Sequence, residues 1–188
     1  MFGAHGIAVV DLRDAGLVET RAEEDLEAFA TFEENALAKA RYFFHRSGLA
    51  TVADDSGLAV HALDGRPGVH SKRWSGRTDL SGQALDDENN RLLLESLSGH
   101  VDRAASYVCA AAYIDGSAEF VSRGEVHGSI GTVPRGENGF GYDPYFVSDE
   151  LACTFGEATR EEKELVSHRG RAFRALISTV ESYWSGRS

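Results

Sequence analysis

Asp54 and Asp55 close a short apolar run, Leu49 to Ala53, and are followed at once by Ser56 and Gly57. Adjacent carboxylates at the end of a rigid element suit a hard cation such as magnesium, and one of them could also take a proton from water. Asp, Ser and Gly are equally the residues that turns prefer, so D-D-S-G alone leaves both readings open. Glu34 has a similar double reading. At the third helical position after Thr31 it completes a T-x-x-E capping box, and a carboxylate in the first turn can also meet a cation.

The stretch G-E-N-G-F-G-Y-D-P, Gly136 to Pro144, interleaves glycines with aromatics. Its glycines, Gly141 among them, let a ligand approach the backbone, Phe140 and Tyr142 could stack on a planar base, and Asp143 could accept hydrogen bonds from base N–H groups. A glycine-rich turn carrying two core aromatics would look the same. Lys163 lies in the acidic run T-R-E-E-K-E, where its default place is a surface ion pair. His168 and Arg169 open the last helical segment. Cations there are mildly unfavourable for the helix, which hints at a ligand, although a solvent-exposed pair is the plainer reading.

These residues need elements to position them. Ile7 to Leu12 reads as a strand, and an acidic loop follows from Glu19 to Glu27. A helix starts at the Thr31 cap and runs to Gly48 through Leu37, Ala40, Phe43 and Phe44. Leu49 to Ala53 and Leu58 to Leu63 read as two strands on either side of a D-D-S-G turn, with an ordered loop at Gly65 to Gly76. A helix is expected from about Leu85 to Leu97, then a hairpin of Ala104 to Ile114 and Glu119 to Ile130 turning at Asp115-Gly116. A short strand, Tyr145 to Val147, a T-x-x-E cap at Thr159 to Glu162 and a final helix from His168 to about Trp184 complete the chain. The alternation implies an α/β fold with a partly antiparallel mixed sheet and flanking helices.

With 42% apolar residues, 188 residues can bury a sizeable core in one domain or in two lobes around a cleft. Thirty acidic against 19 basic residues give a net charge of -11, which repels nucleic acid and anionic membrane surfaces. A small polyanion would then need a local cationic pocket or a metal. Cys109 and Cys153 have no partners at metal-ligand spacing, which argues against a zinc site or a disulfide scaffold. No apolar run approaches the roughly 20 residues of a membrane span, and no signal peptide is evident, so a cytoplasmic protein is expected.

Taken in order, T-F-E-E-N-A-L-A-K-A (Thr31 to Ala40), A-D-D-S-G-L (Ala53 to Leu58), P-G-V-H-S-K-R-W-S-G (Pro67 to Gly76), G-F-G-Y-D-P (Gly139 to Pro144), R-E-E-K and S-H-R-G (Arg160 to Gly170) resemble the inosine triphosphate pyrophosphatase family. The resemblance runs over roughly residues 5 to 180. It implies hydrolysis of non-standard purine nucleoside triphosphates, the ribo and deoxy forms of ITP and XTP, to monophosphate and pyrophosphate. By the same resemblance Asp55 is magnesium ligand and proton acceptor, Glu34 a second metal ligand and Ser56 a nucleotide contact. Phe140, Gly141, Tyr142 and Asp143 form the base and sugar pocket, closed by Lys163, His168 and Arg169. The implied fold is an elongated two-lobed α/β structure with the nucleotide cleft between the lobes, and the implied assembly is a homodimer.

The sequence departs from the family at its start. Family members open with a strand, a phosphate-binding loop of the form T/S-x-N-x-x-K and a helix, all ahead of the segment matching Ile7 to Leu12. The chain reads as a single domain of this family lacking about twenty residues of that opening. Two other readings accompany this one: a binding-only remnant that keeps the base pocket without turnover, and a related pyrophosphatase acting on modified pyrimidines.

Overall fold

Helix α1, Phe32–Ser47, begins where Thr31 supplies the cap, its hydroxyl accepting from the Glu34 N–H at 3.2 Å. Glu34 answers from its side chain, but to the Thr31 hydroxyl at 2.8 Å. Gly48, at φ 69°, ends the helix in the left-handed conformation and returns its N–H to the Phe44 carbonyl. The computed structural model describes residues 2–18 and 26–187, so most of the acidic segment Glu19 to Glu27 lies outside the described residues.

Strand β1, Thr51–Val60, runs straight through Asp54-Asp55-Ser56-Gly57. The sequence implied two strands and a turn. The backbone instead stays extended because residues of both faces find buried places: Asp55 on one, Leu58 and Val60 on the other. Only the 3-10 turn His61–Leu63 follows, where a second strand was expected to continue. Gly68–Arg73 forms another 3-10 segment inside the expected loop.

Helix α2, Gly82–Ser96, precedes the hairpin of β2, Ala104–Ile114, and β3, Glu119–Ile130. Asp115 builds the turn by accepting the Ser117 and Ala118 N–H groups, both at 2.8 Å. Strand β4, Phe146–Ser148, pairs antiparallel with β3 in the register Gly128↔Ser148, Ser129↔Val147, Ile130↔Phe146. The four strands form one sheet in the order β1-β2-β3-β4, leaving β1 at an edge. Helices α3, Arg160–Val166, and α4, His168–Ser185, close the chain, α3 with a full Thr159/Glu162 capping box. The architecture is thus α/β, a sheet with flanking helices.

Ile7 to Leu12 does not become a strand. A strand needs a ladder partner, and residues 7–11 follow an irregular path without one among the described residues, leaving Val9 and Val10 each more than half exposed. With Leu49–Val52 and the α4 residues Leu176, Ile177, Val180 and Trp184, they line an apolar groove of about 490 Å³.

Contacts divide the chain into two units. The first comprises the chain up to Asp55, Cys109–Gly124, and Arg169 onward; its core packs Cys109, Ala111 and Tyr113 of β2 against Ala172, Leu176 and Val180 of α4. The second comprises Ser56–Val108 and Glu125–His168. Its core gathers Leu58, Val60, Leu93, Tyr107, Val126, Ile130, Phe146 and Phe155. Full burial of each large apolar side chain contributes about 1.5–3 kcal/mol. In β2 both faces are buried, and its alanines at 110, 111 and 112 are fully enclosed.

The β3–β4 pairing anchors one end of the loop 136–145. A Cβ added at Gly128 would stand 2.2 Å from the Val147 carbonyl oxygen and 2.9 Å from the Phe146 ring. Gly128→Ala should therefore destabilise the protein by about 2 kcal/mol or more through overpacking, measured as a shift in the urea midpoint; an unchanged midpoint would show that this strand pair can separate freely.

Candidate active site

In the first unit, consecutive residues of β1 point to opposite faces, so Asp54 and Asp55 serve different partners. Asp55 is 7% exposed. Its Oδ2 accepts from the Asn35 side-chain amide at 3.0 Å, and its Oδ1 pairs with the Lys39 ammonium at 3.2 Å. Asn35 and Lys39 are four residues apart on α1 and so share a face. Asn35 is fully buried; its Oδ1 accepts the Phe29 N–H at 3.0 Å, tying the entry to α1 to the Asp55 strand. Lys39 also reaches Glu27 at 3.0 Å.

Burial raises the Asp55 pKa above that of an ordinary carboxylate, and the Lys39 charge and Asn35 amide offset the rise only in part. A charge on this group is therefore costly where it stands, and one cation and one donor support it. Asp54 instead accepts from Arg169 through Nε at 3.0 Å and Nη2 at 2.9 Å. The Cys109 thiol also points at Asp54, at 3.7 Å, and burial pushes that thiol up, which keeps it protonated. Glu34 sits one residue before Asn35, its carboxylate on the Thr31 hydroxyl.

Ser56 is the first residue of the second unit and half-buried. There the glycine-rich loop runs from exposed at residues 136–140 to buried at Tyr142 and Asp143. Phe140 is 68% exposed, whereas Tyr142 is 4% exposed, belongs to the core cluster and donates its hydroxyl to the Ser71 carbonyl at 2.8 Å. Of the two aromatics proposed from sequence to stack on a base, only Phe140 presents its ring to solvent. Asp143, 2% exposed, accepts the Phe140 N–H at 2.8 Å and the Lys163 ammonium on the same oxygen. Lys163 lies over the Phe140 ring at 5.5 Å and over the Phe155 ring at 5.0 Å, so one lysine binds loop, carboxylate and core. The His168 ring stacks on Tyr107, 4.7 Å between centroids and 8° between planes.

Glu34 and Asp55 thus both belong to the first unit, where Arg169 pairs with Asp54. The structure gathers Phe140, Gly141, Asp143 and Lys163 on the second, which also carries Ser56 and His168. Asn35 and Lys39 escaped the sequence reading although their motif was visible. The signal was two polar residues at helical spacing interleaved with Ala36 and Ala40, which are both fully buried.

No three His, Cys, Asp or Glu side chains cluster as a metal cage among the described residues. Magnesium seldom uses one. It is commonly held by one or two carboxylates together with substrate phosphates and waters, and the hard oxygens of Glu34 and Asp55 fit that donor set.

Comparison with known proteins identifies the family. The sequence model of the Ham1 family matches residues 1–179. The chain is 50% identical over 183 residues to a dITP/XTP pyrophosphatase of Mycolicibacterium paratuberculosis, covering 96% of this chain and 85% of the relative. Among solved structures it is similar to the nucleoside-triphosphatase/dITP/XTP pyrophosphatase of Mycobacterium abscessus, with 47% identity, a TM-score of 0.71, and coverage of 92% and 87%. A HAM1 protein from Coxiella burnetii superposes with a TM-score of 0.81 at 34% identity, covering 94% of this chain and 87% of that one. With the family matched over nearly all its length and the fold shared with solved members, the chain belongs to the Ham1 family.

Proposed function

We propose that the chain hydrolyses non-standard purine nucleoside triphosphates, dITP/ITP and XTP/dXTP, to the nucleoside monophosphate and pyrophosphate. The observation that carries this reading is Asp55, a buried carboxylate in mid-strand held by Lys39 and Asn35. Water adds to the α-phosphorus while the bond from that phosphorus to the bridging oxygen breaks, and pyrophosphate departs with that oxygen. Asp55 takes the proton of the attacking water, for which its raised pKa makes it a better acceptor than an ordinary surface carboxylate. Glu34 and Asp55 would hold magnesium, which when bound neutralises phosphate charge and stabilises the leaving group.

Base recognition falls to Phe140, whose exposed ring offers a stacking face, and to the donors Lys163, His168 and Arg169. A 6-oxo purine accepts hydrogen bonds where the adenine amino group would leave donors unpaired, and sites built this way discriminate by about 10⁴ or more. Gly141 and Tyr142 shape the loop, Asp143 faces the base or sugar and Ser56 contacts the nucleotide.

We further propose that the groove between residues 7–12 and Leu49–Val52 takes one additional strand, and that the family's Asn/Lys phosphate loop comes with it. An open edge on β1, a β-branched segment without a ladder and an apolar slot between them all favour a strand there. The active assembly is a homodimer in the cytoplasm. No helix among the described residues is long and apolar enough to cross a membrane.

Pyrophosphate release with magnesium should be rapid from dITP and XTP and about a thousandfold or more slower from dATP, and EDTA should abolish it; equal rates on all three nucleotides would refute the purine reading. The same assay on a chain extended upstream by about twenty codons, the length of a strand, loop and helix start, should show faster turnover and a higher Tm if the groove takes that strand, and no change in either if it does not.

Lys39→Met leaves Asp55 buried without its cation and should cost about 3 kcal/mol of stability near neutral pH. Because the folded Asp55 pKa is raised, this penalty is absent below about pH 3, under the unfolded Asp value, where folded and unfolded states are both protonated, and it grows as pH rises. Urea unfolding at about pH 3 and pH 7 checks it, and a penalty independent of pH would contradict the pairing.

A further inference from the structure

Phe140 stands between Gly139 and Gly141, both with positive φ, at 78° and 62°. An aromatic ring flanked by two glycines should be among the least restrained side chains in the molecule, since glycine loses the most backbone freedom on ordering. A poorly held ring makes a poor platform, because every binding event would first have to order it. The structure shows what holds it.

On one side, Asp143 accepts the Phe140 N–H. On the other, both polar groups of Gly141 are committed to α2: its N–H donates to Asp86 Oδ2 at 2.9 Å, and its carbonyl accepts from Asn90 Nδ2 at 2.9 Å. Asp86 and Asn90 are four residues apart and lie on one face of α2, so a single helix turn grips the glycine from both sides. Asn90 is 6% exposed, and its own Oδ1 has no hydrogen-bond partner among the described residues. A buried acceptor left unpaired costs about 1–3 kcal/mol, and the hydrogen bond that the Asn90 amide donates to the Gly141 carbonyl offsets that cost. A Cβ on Gly141 would meet nothing within 4 Å, so glycine is needed there for its backbone angle and not for space. With its N–H donated to Asp86, Gly141 has no backbone donor left for a nucleotide.

We propose that Asp86 and Asn90 are positioning residues for substrate, a clamp on Gly141 that fixes the Phe140 ring in advance as the stacking face for a purine. The clamp rests on the reading of the 139–143 loop as the base platform. It adds to that reading the reason two glycines can flank the ring without loosening it. Neither side chain touches the nucleotide; both act through the Gly141 peptide.

The test uses the whole protein and four variants, Asp86→Ala, Asp86→Asn, Asn90→Ala and Phe140→Ala, read by steady-state dITP hydrolysis and by hydrogen exchange of the Gly141 amide. Asp86→Asn keeps an oxygen that can accept the Gly141 N–H. Asp86→Ala should speed Gly141 exchange at least tenfold and raise KM about tenfold with kcat within about threefold, the pattern of lost preorganisation. Asn90→Ala should raise KM similarly, with Tm reporting any loss of fold, and Asp86→Asn should restore both exchange and KM. Unchanged exchange and KM in Asp86→Ala, or failure of Asp86→Asn to restore them, overturns the clamp. Phe140→Ala separates the two claims. If it raises KM while Asp86→Ala does not, the platform stands and the clamp falls. If Phe140→Ala leaves KM unchanged, the platform reading fails and the functional role of the clamp with it, whatever the exchange shows.

Discussion

The Asp55 carboxylate is the constraint around which the first unit is arranged. A charge placed in the middle of a strand and 93% removed from solvent is tolerable only with partners in place. α1 supplies both, Asn35 and Lys39, from one face. That demand explains the position of α1 against β1, the full burial of Asn35, and the use of its second amide contact to fix the chain at Phe29. The same demand fits the role proposed for Asp55. A carboxylate whose charge is only partly compensated is a better proton acceptor and a more eager cation ligand than one free in water.

The second unit solves a different problem with the same means. Its loop must present an aromatic ring to solvent without letting it move. The turn at residues 139–143 sends Phe140 out and Tyr142 into the core, and the pair of buried Asp143 with half-buried Lys163 holds the loop to α3. Truncating one member of such a pair is costly, which gives Lys163 a structural role beside the one proposed for it. With a net charge of -11, and with Lys39, Arg169 and Lys163 each paired to a carboxylate, a polyanionic substrate would need the charge neutralisation that a bound metal supplies.

Much of this was legible in the sequence, and the misses have physical causes. Both T-x-x-E caps, the hairpin turn at Asp115-Gly116 and the final helix follow from local signals, because caps and turns are decided by a few neighbouring residues. D-D-S-G misled for the complementary reason. Its composition favours a turn locally, but burial of Asp55, Leu58 and Val60 keeps it extended, and burial is a tertiary effect. Ile7 to Leu12 has strand composition and no strand, since a ladder needs a neighbour that composition cannot supply. Asn35 and Lys39 were hidden in a helical motif whose partner lies twenty residues away on another element. The division between Phe140 and Tyr142 is invisible until the loop's path is known.

The most direct test of the account is dITP hydrolysis by Asp55→Asn, with Tm measured alongside. The substitution keeps the shape and removes the charge, so turnover should fall by about three orders of magnitude or more, the contribution expected of a positioned base, while Lys39 keeps Glu27 as a partner and Tm reports that the variant is folded. Wild-type turnover by the folded variant would remove Asp55 from the mechanism and contradict the central claim.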